Sequence, residues 1–316
     1  MELVTIDDIR TAARQVASHV VRTPLLEASW GDPDRPLWVK PESLQPIGAF
    51  KVRGAFNAIG ALIAGPDPVS GVVAYSSGNH AQAVAYAAAV YGLPAHIVMP
   101  EETPAVKIDA TRRHGARVVL CAAGQREIVA EQVAAETGAV MIPPFDHPGV
   151  IAGQGTIGLE IAEDLPEVRS VFVPVSGGGL ASGIGTAIKA LCPEAVVIGV
   201  EPELAADTAE GLAQGRRVDW PITDRNRTIA DGLRSQPSEL TFAHLQNVLD
   251  EIVTVSEAEI RSGVRELAFR ARLVAEPSGA VALAGYRKVA APAGPAVVIL
   301  SGGNVAPEML GQILSG

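Results

Sequence analysis

Short apolar runs alternate with longer stretches of widely spaced apolar positions, and the alternation becomes regular from about residue 70. Val72–Tyr75 is such a run. A Ser/Gly/Asn turn follows, then the Ala-rich helical stretch Ala81–Val90. Ala95–Met99 is the next strand, with a helix from about Thr103 to His114, and Arg117–Cys121 is a third, with a helix from about Gln125 to Thr137. Strands alternating with helices in this way predict a parallel sheet. Ahead of them, Thr5 to Val16 reads as an amphipathic helix opened by a capping-box pair, Thr5 and Asp8.

Pro143, Pro144 and Pro148 break the series, and a second one follows: strand Ser170–Val175, a glycine turn, helix Leu180–Leu191 and strand Val196–Val200. From Asp207 to Thr228 the chain is polar and irregular, so no regular element is expected there. Further helices lead to a last buried strand, Ala296–Leu300, which ends in Ser301-Gly302-Gly303-Asn304. No repeat, low-complexity tract or appended module is visible. The expected fold is α/β, with two open lobes built on parallel sheets. Sites in such folds lie outside the carboxyl ends of strands, where turns lead into helices. Three polar, Gly-containing turns stand at such ends: Ser76–His80, Ser176–Gly179 and Ser301–Asn304.

Composition narrows the function classes. The 316 residues, 48% hydrophobic, suffice for about two lobes. No apolar run reaches the roughly 18 residues of a spanning helix, and the acidic start Met-Glu-Leu-Val-Thr-Ile-Asp-Asp is unlike a signal peptide; no membrane association is expected. Cys121 and Cys192 form neither a disulfide framework nor a metal-ligand pattern, so a reducing cytoplasm is the expected compartment. A net charge of -10 with no basic stripe argues against nucleic acid as a partner.

Each turn alone is ambiguous. Ser176-Gly177-Gly178-Gly179 lets backbone amides face an anion at a helix start, which suits a phosphate, although a tight turn needs the same glycines. A dinucleotide would also fit Gly177-x-Gly179 with Glu201 at the end of the next strand, but Ser182 stands where that fingerprint needs a third glycine. Ser76-Ser77-Gly78-Asn79-His80 could be an anion nest or a capped helix start. A lone lysine is normally solvated, yet Lys51 follows Ile47-Gly-Ala-Phe50 and precedes a Gly-Ala segment; a desolvated amine becomes a nucleophile. An amine, an anion nest and a ring partner together match a cofactor with an aldehyde, a phosphate and a heteroaromatic ring.

The stretch Lys40-Pro-Glu-Ser-Leu-Gln-Pro-Ile-Gly-Ala-Phe-Lys51-Val-Arg-Gly-Ala resembles the lysine motif of fold-type II pyridoxal-phosphate enzymes, a tryptophan-synthase-β-like architecture. More narrowly it is similar to the threonine dehydratase and serine racemase family. Ser76-Ser-Gly-Asn-His80, Pro143-Pro-Phe-Asp-His-Pro, Ile151-Ala-Gly-Gln-Gly-Thr, Thr228-Ile-Ala-Asp-Gly and Ser301-Gly-Gly-Asn match in order along nearly the whole chain. The resemblance implies pyridoxal 5'-phosphate on Lys51, with Phe50 against its ring and Asn79 at its 3-hydroxyl. Gly177, Gly178, Gly179 and the Leu180 amide would hold the phosphate, and Ser301 would face the ring nitrogen. Ser76, Ser77, Asn79 and His80 would bind substrate, and Ser77 would serve as a second catalytic group. Ala49 and Ser176 depart from the usual Ser and Gly, which leaves phosphate geometry open in detail. Arg126 and Glu127 match a polar pair to which no role is assigned.

Glu201-Pro-Glu-Leu-Ala205-Ala-Asp207 resembles the divalent-cation loop of the serine racemase branch, with Mg²⁺, Ca²⁺ or Mn²⁺ held by the Glu201 and Asp207 carboxylates and the Ala205 carbonyl. The expected division is a discontinuous cofactor domain, residues 1–66 and 148–316, and a small domain, residues 67–147. The expected activity is loss of water and then ammonia from L-threonine or L-serine, by a homodimer or higher homo-oligomer. Alternatives are a serine or aspartate racemase or a hydroxyaspartate dehydratase in the same site, a β-replacement synthase, which His80 disfavours, and a nicotinamide oxidoreductase using the Gly177 loop.

Overall fold

A computed structural model describes residues 2–316. Helix α1 (Ile6–Val16) opens with the capping box: Thr5 accepts from the Asp8 amide and the Asp8 carboxylate from that of Thr5. A hairpin follows, β1 (Leu26–Asp32) and β2 (Arg35–Pro41), then helix α2 (Lys51–Ile63). The first regular series is β3 (Val72–Tyr75), α3 (Asn79–Val90), β4 (Ala95–Pro100), α4 (Ala105–Arg113), β5 (Arg117–Cys121), α5 (Arg126–Thr137) and β6 (Val140–Met141). It makes a four-stranded parallel sheet in the order β5-β4-β3-β6.

The second series is α6 (Pro148–Asp164), β7 (Ser170–Pro174), α7 (Gly179–Leu191), β8 (Val196–Pro202), α8 (Asp207–Gln214), α9 (Ile222–Arg225), α10 (Glu239–Val248), β9 (Glu251–Val255), α11 (Glu257–Glu266), α12 (Pro277–Lys288), β10 (Ala296–Leu300) and α13 (Pro307–Ser315). With the hairpin it forms a six-stranded sheet, β1-β2-β10-β7-β8-β9. Every pairing in this sheet is parallel except β1 with β2. The two central strands β7 and β10 are buried at every position, which continuous apolar runs under helices on both faces require.

Three expectations need correction. The hairpin was not foreseen, and it adds an antiparallel edge to an otherwise parallel sheet. The proline break is short, because Pro148 starts a helix of 17 residues, a position where a missing N–H costs nothing. The stretch from Asp207 to Thr228 holds α8, where Asp207, Thr208 and Gly211 are buried despite the polar pattern, and the one-turn α9, which buries no residue. Among the described residues, no helix is long and apolar enough to cross a membrane.

Helix α2 joins the two sheets' cores. Phe56, Ala55 and Ile59 pack with Val72, Val84 and Met99 of the first series. On its other side the backbone runs against α6, where a Cβ on Gly153 would lie 2.6 Å from the Gly54 Cα. Because β10 and β7 are hydrogen-bonded neighbours, the turns that leave their carboxyl ends emerge side by side.

Candidate active site

The chain entering α2 is stitched to the turn after β10. The Phe50 amide donates to the Ser301 carbonyl at 3.1 Å, and Ala49 bridges Gly302. Lys51 is the first residue of α2. Its Nζ donates to the Pro144 carbonyl at 2.7 Å and lies 5.0 Å from the centre of the Phe50 ring. Burial brings its ammonium down to about 8. The backbone behind it is fixed from α6: the Gly54 amide donates to Gln154 Oε1, and the fully buried Arg53 pairs with Glu42 and Glu160 at 2.8 and 2.6 Å.

The Ser176–Gly179 turn lies against the same peptide. Phe145, next to Pro144, covers Gly177 and Gly179; a Cβ on Gly179 would sit 2.9 Å from the Phe145 Cβ. Gly178 has φ +87°, and a Cβ there would come within 2.8 Å of the Thr241 side chain, so glycine is required. Helix α7 starts at Gly179 with no side-chain cap, leaving its first amides free for an anion, Leu180 among them. Ser176 does not enter this cradle. Its Oγ donates to the Ser235 carbonyl and accepts from the Ser235 amide.

The Ser76–His80 turn supplies a second bare helix start. The Ser76 Oγ accepts from the Gly78 amide at 3.2 Å, and α3 begins at Asn79 with no side-chain cap. Ser77 is half-buried in this turn. The Asn79 Nδ2 donates to Glu276 Oε1 at 2.7 Å, while its Oδ1 accepts from Asn304 Nδ2 at 2.8 Å. The His80 ring is engaged inside the protein. Its Nε2 lies 2.8 Å from the Ile142 carbonyl, which can only accept, so that nitrogen carries the hydrogen. Burial first, and the charge of Lys51 second, push the ring down to about 3 and keep it neutral. What His80 offers an anion is its backbone amide. Ser301 is buried, its Oγ 3.5 Å from the Ser278 carbonyl.

Sequence reasoning missed Glu276. It is buried, and its carboxyl is pushed up to about 8, by burial first and by Asp231 second. An acid ahead of a Pro-started helix ordinarily reads as a solvated residue that suits the dipole, so the local pattern gave no signal.

Glu201 and Asp207 stand apart, beyond the end of β8. Glu201 accepts from the Thr208 and Ala209 amides and is 1% exposed, which rules it out as a ribose contact. Asp207 Oδ2 is buried without a hydrogen-bond partner. Ala205 is buried between them in sequence. Glu201 is pushed up to about 8 by burial and by Asp207, and Asp207 up to about 7 by burial.

The arrangement fits a phosphorylated aldehyde: one half-buried amine beside a cradle that any side chain would fill. Comparison with known proteins agrees. The family model for pyridoxal-phosphate dependent enzymes matches residues 16–302. The chain is 42% identical to an L-threonine ammonia-lyase of Thermotoga maritima, over 99% of this chain and 79% of that one. It is 39% identical to an L-threo-3-hydroxyaspartate ammonia-lyase of Saccharomyces cerevisiae, over 100% and 98%. Among solved structures, maize serine racemase superposes with a TM-score of 0.93 at 38% identity, covering 99% of this chain and 98% of that one.

Proposed function

The chain belongs to the pyridoxal-phosphate dependent enzymes, and from that premise we propose that it removes water and then ammonia from L-threonine or L-serine, leaving a 2-oxo acid. The observation that carries this reading is Lys51, a half-buried amine whose Nζ meets a backbone carbonyl and no carboxylate, beside the bare start of α7. When bound, the cofactor supplies an electron sink for the bond pair released at the substrate's α-carbon.

The protein's own groups do the rest. Lys51 would hold the cofactor, and once the substrate amine has displaced it, its Nζ, lowered to about 8, can take the α-proton near neutral pH. Gly177, Gly178, Gly179 and the Leu180 amide hold the phosphate, aided by the α7 dipole. Asn79 meets the 3-oxygen and Phe50 flanks the ring. Ser301 faces the ring nitrogen; a hydroxyl there does not force that nitrogen to stay protonated. Within the Ser76–His80 turn the amides of Ser77, Asn79 and His80 bind the substrate carboxylate, those of Ser76 and Gly78 being taken by the Val98 carbonyl and the Ser76 Oγ.

A second reading, racemization, is favoured by the half-buried Ser77 and by the likeness to maize serine racemase. Racemization needs a proton-handling group on each face of the substrate, and Ser77 is the candidate opposite Lys51. The hydroxyaspartate ammonia-lyase of yeast keeps a third substrate in view.

Glu201, Asp207 and the Ala205 carbonyl are the proposed ligands of a divalent cation, Mg²⁺ first and Ca²⁺ or Mn²⁺ as alternatives. The unpartnered Asp207 Oδ2 supports this. Among the described residues no three His, Cys, Asp or Glu side chains cluster as ligands, so waters must complete the shell.

One experiment tests the reading. Purified protein is incubated with L- and D-forms of threonine, serine and hydroxyaspartate, and both 2-oxo acid and enantiomer are measured. The expected result is 2-oxo acid from an L-substrate, lost by at least a thousandfold in Lys51→Ala together with the cofactor's visible absorbance, on the order of what removing a catalytic group costs. Full activity in that variant would sink the assignment. Interconversion without 2-oxo acid would select the racemase reading.

A further inference from the structure

Asn79 is bonded on both ends of its amide to residues of the six-stranded sheet's lobe, although it stands at the start of α3. The orientation of that amide is determined by its partners. Asn304 presents its Nδ2, which can only donate and which also donates to the Ile47 carbonyl at 2.8 Å, so Asn79 must turn its oxygen to Asn304. Its nitrogen then faces Glu276 Oε1. One of the two Nδ2 hydrogens is taken by Glu276, and one is left.

Glu276 is held as firmly as its partner. It is the N-cap residue of α12, and its amide donates to the Gly302 carbonyl at 3.1 Å. A Cβ on Gly302 would collide with Glu276 Oε1, so the turn that follows Ser301 leaves room for this carboxyl. The carboxyl thus lies directly behind the Ala49–Gly302 bridge, one residue from Phe50 and two from Lys51. The proposed reaction gives it no role.

On the reading that Asn79 meets the cofactor's 3-oxygen, we infer that Glu276 is a positioning residue that acts through Asn79. It takes one N–H of that amide, leaves the other for the cofactor, and ties the start of α3 to the wall that carries Lys51. The charges around it are Asp231, which adds to burial in raising its carboxyl, and Lys107, which opposes them. Lys107 and Asp231 are themselves paired at 2.9 Å across the same gap. A carboxyl that keeps its proton to about pH 8 still accepts from Asn79 and sets no negative charge beside an electron-rich ring oxygen. Glutamine reproduces that neutral acceptor, and alanine does not.

The test is equilibrium dialysis of pyridoxal phosphate against wild type, Glu276→Gln, Glu276→Ala, Asn79→Ala and the double alanine variant, with the visible spectrum of each. Glu276→Ala should weaken cofactor binding about tenfold, the factor set by one hydrogen bond of ordinary strength. Glu276→Gln should restore affinity to within about threefold, as a neutral acceptor of the same shape would. The double variant should bind no worse than Asn79→Ala alone, within about twofold, because residues acting in series are not additive. Additive losses, or a Gln variant as weak as the Ala variant, overturn the inference. If circular dichroism shows Glu276→Ala unfolded, Glu276→Asp replaces it, since a shorter acid withdraws from Asn79. A wild type that binds no cofactor overturns the site reading itself. A wild type that binds, with Glu276→Ala unchanged, overturns this inference alone.

Discussion

Two pairs of buried carboxylates in this protein meet opposite fates. Glu42 and Glu160, beneath α2, share Arg53, and Lys40 pairs with Glu160, at ion-pair distances of 2.6 to 2.8 Å. Thr23 and Gln45 donate to Glu42 as well. Burial acts to raise the Glu42 carboxyl, but Arg53, Thr23 and Lys40 together outweigh it, and the group ends below its ordinary value. Glu201 and Asp207 have no such cation against them. Arg225 pulls Asp207 down, yet burial prevails and both carboxyls are raised. A carboxylate can be taken out of water only with compensation for its charge. The chain carries that compensation within itself at the first pair. At the second it leaves an oxygen unbonded, which is the condition a bound cation would relieve.

The comparison can be broken most forcefully at Arg53. Arg53→Met leaves two buried acids facing Lys40 alone, and breaking a buried pair in this way costs about 3–5 kcal/mol. Urea unfolding measures it, and a loss below about 1 kcal/mol would mean that the network contributes little. The second pair should respond to what is added. Free Mg²⁺ at a hundred times its Kd should stabilise the fold by about 2.7 kcal/mol, read as a rise in Tm. Asp207→Ala should flatten that rise. If Mg²⁺, Ca²⁺ and Mn²⁺ all leave the wild-type melt unmoved, the cation assignment is wrong.

The smallest effect is the pH dependence, where Glu42 and the second pair should pull in opposite directions. A raised carboxyl means that the folded state binds the extra proton, so stability falls as pH rises. For Glu201 the window runs from about 4.5 to about 8, and for Asp207 from about 3.8 to about 7. Glu42 is lowered, so its contribution is present above about 4.5 and is lost as pH falls further. Urea midpoints in chelator should therefore decline from about pH 5 to 8, and saturating Mg²⁺ should erase the decline. Midpoints that stay flat or rise in chelator would contradict the uncompensated state of the second pair.

Much of the architecture was legible along the chain. Strands Val72–Tyr75, Arg117–Cys121 and Ala296–Leu300 lie where their apolar runs predict them, and the Thr5–Asp8 box opens α1. These features are local, set by periodicity and by the few residues that can cap or turn a backbone. The three polar turns and the apolar setting of Lys51 were legible for the same reason, and their order along the chain carried the resemblance to the family. The hairpin was not, because β2 pairs in parallel with β10, from the far end of the chain, and only that pairing makes its alternation meaningful. Helix α8 was hidden because its polar sequence is buried only in the folded protein, and α9 because a single turn with no buried residue leaves no periodic pattern.

The sequence by itself determined which residue types stand at the ends of strands, and so where an amine, an anion cradle and a second bare helix start occur. Tertiary structure alone decided what those groups face. Lys51 finds its carbonyl 93 positions away, Asn79 its carboxyl 197 positions away, and His80 gives its ring to Ile142. Folding also settled which acids are compensated, because the hold of a group on its proton depends on the water removed and the charges brought near. Neither quantity is written in the neighbouring residues.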